Sequence, residues 1–192
     1  VDLGWRHEYC GLFSLEYRGV TWYFVDNEQY FRRRSLYGDM DDGERFAFFS
    51  RGCLDAMATL DFVPDIIQCN DWQTALIPVY LNVFYRGVPK LSCVHTVFTI
   101  HNIQYQGQYG FEILEDVFGI PKSEQSLLEY NDCVNLMKGA MLMADAVTTV
   151  SPTYAAQLHD PAYAEGMASV VDMVGWKMHG VVNGIDTDSY DP

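Results

Sequence analysis

Four short polar clusters hold the residues that could do chemistry in this chain. They are Asn70-Asp71-Trp72, His101-Asn102 with Tyr105-Gln106-Gly107 just beyond, Ser151-Pro152-Thr153, and Asn183-Gly184-Ile185-Asp186. Each follows a short apolar run of strand composition: "DIIQC" (65–69), "VFTI" (97–100), "AVTTV" (146–150) and "HGVV" (179–182). Gathered on one rim, they would supply a carboxylate, an imidazole, amides and hydroxyls with little net charge. That set suits a neutral, hydroxyl-rich ligand, since sugars need many short donors and acceptors. Singly, each has a plainer reading. Asn70-Asp71 could cap the helix that follows, Asn183-Gly184 could be an ordinary turn, and a lone histidine is usually structural. Ser151-Pro152 has the form of an N-cap with proline at the first helical position, which we take as its main role.

The elements that must position these clusters alternate. The first strand run is followed by a helix over about 72–85, and the second by an irregular region rich in Gly and Gln. A helix over about 133–144, apolar nearly all round, then precedes the third run; a helix over 151–159 and a loop precede the fourth. Strand and helix alternating in this way predict an α/β fold, a Rossmann-like parallel sheet with helices on both faces. Ligands of such sheets bind beyond the carboxyl ends of the strands, where all four clusters fall. Ahead of this unit, residues 8–25 alternate as a β-hairpin turning at Arg18-Gly19. Residues 26–42 read as a surface loop with an aromatic foothold. From Gly43 to Asp61, Phe46, Phe49, Cys53, Leu54 and Met57 recur at helical spacing, with Asp41 or Asp42 as cap.

Composition narrows the function. With 192 residues, 49% of them hydrophobic and 20% charged, the chain can bury a real core in one domain. Its 26 acidic against 12 basic residues give −14, a surface that repels phosphate backbones, so no nucleic-acid partner is expected. No run is long enough to span a membrane, and the N-terminus lacks a secretory signal. It also lacks an initiator Met, which points to a segment of something longer. Five widely spaced cysteines without C-x-x-C suggest reduced core thiols in a cytoplasmic protein. No G-x-G-x-x-G, Walker loop or G-x-S-x-G elbow is present, so nicotinamide, P-loop and serine-hydrolase chemistries lack their signatures. His95 and His101 sit too far apart along a strand to share a metal. Asp39-Met40-Asp41 is similar to the metal-binding D-x-D of some glycosyltransferases but reads better as a capping loop; no metal site is expected.

Five segments together carry a resemblance: "LYGDMDDGERFAFFSRGCLD", "PDIIQCNDWQTALIPVYL", "TVFTIHNIQYQGQYG", "NLMKGAMLMADAVTTVSPTYAAQL" and "HGVVNGIDTDSYDP". In order and nearly end to end, they resemble the N-terminal domain of bacterial glycogen synthases and plant starch synthases. These are retaining glycosyltransferases of the two-lobed type B fold, which transfer glucose from ADP-glucose to the non-reducing end of an α-1,4-glucan. The resemblance implies that residues 1–192 are one acceptor-side domain, with ADP-glucose and glycogen or a maltooligosaccharide as substrates and no cofactor. It implies catalytic roles for Asp71, near the acceptor and transferred sugar, and His101, on the donor glucose. It implies substrate contacts from Asn102, Tyr105, Gln106, Asn135, Ser151 and Asn183, and for Lys138 either such a contact or a structural ion pair. The family's K-x-G-G loop and its C-terminal nucleotide-binding lobe, with a Lys/Arg pair and an E-x7-E motif, have no counterpart in this chain. Between Asp160 and Trp176 "DPAYAEGM" also departs from the family's T-P-E-Y-G-x-G-L. The isolated chain is therefore expected to be inactive. Alternatives are a type B transferase of another donor or acceptor, such as a sucrose synthase relative, and a non-catalytic glucan-binding module.

Overall fold

A computed structural model of the chain describes residues 1–187, 189 and 190. Strands β1 (Ile66–Asn70), β2 (His95–Ile100), β3 (Ala146–Thr149) and β4 (Met178–Gly180) form one sheet in the spatial order 4-3-2-1, with every neighbouring pair parallel. Parallel neighbours need crossovers, and the intervening chain supplies helices α2 (Leu76–Tyr80), α3 (Leu136–Met143), α4 (Pro152–Gln157) and α5 (Ala168–Val174). Helix α1 (Asp42–Thr59) comes before β1 and packs on α2, which packs in turn on α3. The core is built where the sheet's Ile67, Cys69, Phe98, Ile100 and Val147 meet this layer, whose Leu76, Val79, Tyr80, Met137 and Met141 are equally buried. The Rossmann-like α/β class thus holds.

The sheet differs from expectation in its second face. Along β1 and β2 the alternate residues Ile66 and Gln68 are exposed and Val97 is half-buried. The cavity over them is lined by sheet and rim residues, so among the described residues no helix covers this face as predicted. The strands are not continuously apolar, and their polar members satisfy one another: Gln68 Nε2 donates to Thr99 Oγ1 (3.3 Å), which pairs with Thr148 Oγ1 at 2.8 Å. Such a ladder costs little when left open to water.

Other differences concern boundaries. Residues Cys133–Asn135 form a short strand between Gln108–Tyr109 and Glu129–Tyr130, so α3 begins at Leu136 and not at 133. Part of the expected loop before β4 is helix α5, whose Val170, Val171 and Val174 are buried; three β-branched residues obscured its helical period. The helical run from Trp72 to Tyr85 is present but mixed, opening as a 3₁₀ turn and closing as a π turn. Pro78 is tolerated because it lies in the first turn of α2, where its missing N–H has no intrahelical role. In α1 the buried face is Ala47, Phe48 and Leu54, while Phe46 and Phe49 are half-buried and face other rings. Asp41 holds the N-cap position of α1 without a capping bond, because its carboxylate is held by Arg33.

The hairpin pairs Gly11–Tyr17 with Val20–Asp26 and turns where expected, with Arg18 (φ 52°) and Gly19 (φ 75°) both left-handed. The loop after it is footed by Tyr30, buried in a short helix, Glu28–Phe31. The five cysteines are free, but they are not all core thiols: Cys69 is buried and Cys93 is exposed.

Candidate functional site

Parallel pairing puts the carboxyl ends of all four strands at one edge, with Asn70 opposite Thr99 and Thr149 opposite both Ile100 and Gly180. The loops that follow therefore share a rim. At its centre Asp71 extends the ladder by one bond, its N–H donating to the Thr99 carbonyl at 2.9 Å. Its backbone then turns to φ 55°, ψ −177°, a region that L residues rarely enter. That turn aims the carboxylate at the end of β2, where Oδ1 accepts from the amides of His101 (2.8 Å) and Asn102 (3.4 Å). The expected helix cap is not formed by this side chain. Asp71 instead clamps two strand ends together.

Two concavities open on either side of the clamp. A cleft of about 550 Å³ is lined by Asp71, Asn102 and Tyr105 together with Tyr37, Gly38, Asp42, Trp72 and Gln73. Its outer wall is aromatic: Tyr105 is exposed and Trp72 packs edge-on to Phe46 at 5.1 Å. A second hollow of about 240 Å³ lies over the open face of the sheet and is lined by His101, Asn183, Thr99 and Thr148, among others. His101 is exposed there, its Nε2 held 3.1 Å from Asn70 Oδ1. His95, at the start of the same strand and roughly 20 Å from His101, lies at the opposite edge, where its Nδ1 meets Asp145 at 3.2 Å.

Of the predicted residues, the structure brings Asp71, His101, Asn102, Tyr105 and Asn183 to the rim. It uses the other four differently. Asn135 does not face a cleft: it is fully buried, caps α3 through Lys138 N–H (3.0 Å) and donates to Gln106 Oε1 (2.8 Å). Gln106, 7% exposed, has its amide fully engaged, donating also to the carbonyls of Ile103 and Glu165. A buried amide pair left half-bonded is costly, so packing holds both side chains in place, Asn135 wholly inside and Gln106 at the border of a shallow hollow beside Tyr105 and Trp72. Lys138 donates to the Ser126 and Glu129 carbonyls at 2.6 and 2.7 Å and has no carboxylate ion pair among the described residues; burial pushes its pKa down, against the pull of Glu129. Ser151 caps α4 through Tyr154 N–H (2.9 Å), with Pro152 at the first position.

The sequence reading did not single out Tyr37, Gly38 or Gln73, nor the Gln68–Thr99–Thr148 ladder, and it gave Trp72, at the end of the first cluster, no role of its own. Polar residues at alternate positions of otherwise apolar strands were the available signal. The D-x-D segment proves to be an ion-pair cluster: Asp42 and Asp39 meet the buried Arg45 at 2.6 and 3.0 Å, and Asp41 meets Arg33 at 2.5 Å.

The role of Asn135 gives a direct stability test. Asn135→Ala removes a helix cap and leaves Gln106 Oε1 with one donor fewer, so unfolding free energy should fall by about 2–4 kcal/mol in a denaturant titration. A loss within about 0.5 kcal/mol would return Asn135 to the candidate binding residues.

The chain as a whole resembles proteins already known. The family described as starch synthase catalytic domain matches residues 1–173. Glycogen synthase of Streptococcus agalactiae is 45% identical over 194 aligned residues, and that of Clostridium novyi 46% over 195; each alignment takes in 100% of this chain. The chain spans 41% of the length of these relatives. Among solved structures, the catalytic domain of starch synthase IV from Arabidopsis thaliana, bound to ADP and acarbose, superposes with a TM-score of 0.85 at 32% identity, covering 94% of this chain and 38% of that one. A match of this extent, running through every strand-end loop of the rim, means that the chain belongs to the starch synthase catalytic domain family.

Proposed function

We propose that this chain forms the acceptor-side half of a retaining glucosyltransferase site, in which glucose passes from ADP-glucose to the non-reducing end of an α-1,4-glucan. The observation that carries this reading is the Asp71 clamp, which fixes a carboxylate and the backbone amides of His101 and Asn102 on one rim between two hollows, with the His101 ring held beside it by Asn70. Support also comes from membership of the family and from the ADP and acarbose bound to the Arabidopsis relative.

In the reaction so read, the bond from glucose C1 to the diphosphate breaks and a bond to the acceptor hydroxyl forms on the same face. The acceptor proton passes to a diphosphate oxygen. The protein orients both sugars and stabilises an oxocarbenium-like state, with no covalent glycosyl-enzyme. Asp71 places negative charge beside that state. His101 and Asn183 hold the glucosyl unit, while Asn102, Tyr105 and Trp72 hold the acceptor end.

Among the described residues no lysine or arginine lines either hollow, so neither offers a cation to balance a nucleotide diphosphate. On this reading residues 1–192 are one domain of a cytoplasmic enzyme, and a second lobe holds ADP-glucose. The test is a pair of titrations on this chain. Maltotriose should bind in the millimolar range and weaken at least fivefold in Tyr105→Ala, while ADP-glucose should bind far more weakly and support no transfer. Transfer by this chain alone would overturn the half-site reading. Maltotriose binding indifferent to Tyr105 would point to a surface platform instead.

A further inference from the structure

The hairpin of residues 11–26 takes no part in the chemistry above, and among the described residues one of its faces is left bare. Residues directly opposite in an antiparallel pair share a face, and faces alternate along each strand. One face therefore holds the pairs Phe13–Phe24, Leu15–Trp22 and Tyr17–Val20, and the other holds Leu12–Val25, Ser14–Tyr23 and Glu16–Thr21. The mixed face turns to helix α1. Val25 comes within 3.3 Å of where a Cβ on Gly52 would lie, and Leu12 shares a hollow with Gly52 and Asp55. On the apolar face every one of the paired residues is between 48% and 61% exposed. We infer that this face is a self-association surface, on which a second copy of this chain lays the same face across a twofold axis.

Three observations favour that occupant. The hairpin is a two-stranded sheet of its own, not paired with the four-stranded one. Two strands alone are marginal in water, so the hairpin gains stability from a cover on its free face. The patch also has the area a partner needs. Its side chains at that exposure present on the order of 600 Å², near the most that a monomer commonly leaves bare. Two such faces together would bury roughly 1,200 Å², the lower end for a specific interface. Lastly, the face is free of charge between its ends, in a chain whose net charge is −14. Glu16 lies on the other face, where its carboxylate accepts from Thr21 Oγ1, and Arg18 and Asp26 stand at opposite ends of the hairpin. A charged partner would find no complement there, whereas the same face on another copy is equally apolar and equally long. A twofold contact of this kind closes at two copies.

Sedimentation velocity on this chain from about 1 to 200 µM tests the inference, because an interface of this size should have a Kd of roughly tens of micromolar. The mass should double across that range. Added salt should tighten the pair, since two chains of −14 repel each other and the contact itself carries no charge. Phe13→Glu sets a carboxylate in the contact and should weaken association by about 20-fold or more, while Thr21→Glu on the other face should leave it within about twofold. Tyr17→Glu, beside the turn and exposed, keeps the test valid if Phe13→Glu destabilises the fold. A monomer throughout the range overturns the inference, as does a dimer indifferent to both face variants. Equal weakening by Thr21→Glu would move the contact to the other face and overturn it too. Mass growing beyond two copies would do the same, by showing open pairing of strand edges in place of a closed pair. A chain that stays monomeric but floats with neutral phosphatidylcholine vesicles would put a lipid surface in place of the second copy, and likewise overturns it.

Discussion

Asp71→Ala in a full-length enzyme containing this segment is expected to lower glucose transfer roughly 100- to 1000-fold while leaving the sheet folded. The reason is geometric as well as electrostatic. Asp71 sits at φ 55° with extended ψ, a conformation that costs an L residue about 1–3 kcal/mol. What offsets that cost is a carboxylate oxygen accepting two amides from the end of β2, charge-assisted bonds that stabilise by a similar amount. Alanine keeps the strain and loses the clamp, so the variant should also lose about 1–3 kcal/mol of stability. Glycine removes the strain, so Asp71→Gly should melt closer to wild type than Asp71→Ala yet transfer glucose no better. Asparagine retains an oxygen for the two amides and loses only the charge. Activity in Asp71→Asn close to that of Asp71→Ala assigns the effect to charge beside the reacting sugar; activity well above it assigns the effect to positioning of the His101 loop. Steady-state transfer and thermal melts on the three variants separate these cases. Full turnover in all three would remove Asp71 from the site.

His101→Ala should lower transfer by about 100-fold with almost no change in stability. The ring is exposed, and its one hydrogen bond among the described residues is the Nε2 contact with Asn70, so its removal should shift unfolding by less than about 0.5 kcal/mol. The ring faces the hollow that Asn183 lines from the end of β4, open to solvent and away from the core. Turnover unchanged by this substitution would detach the hollow over the open sheet face from donor binding.

Much of this arrangement was legible in the residues alone. Apolar runs of strand composition ending in polar clusters dictate parallel strands with functional loops at one edge, because side-chain period and crossover length leave few other solutions. The order of the clusters along the chain, the hairpin turn at Arg18-Gly19 and the cap at Ser151 were all written locally. Asp71, His101, Asn102, Tyr105 and Asn183 could be named because each follows directly from a strand end or its loop.

Tertiary structure decided which polar residues face out. Gln106 and Asn135 lie 29 positions apart, and only the antiparallel pairing of Gln108–Tyr109 with Cys133–Asn135 brings their amides together in the interior. It decided that Phe46 and Phe49 wall a groove while Phe48 enters the core, a choice among neighbours on one helix that depends on what packs against each side. It also decided that Asp71 clamps a neighbouring strand instead of capping its own helix, since its partners are amides thirty residues further on. Local pattern fixes the type of each element because backbone propensity acts over a few residues. The fate of a polar side chain depends on partners from distant segments, and those exist only once the sheet has assembled.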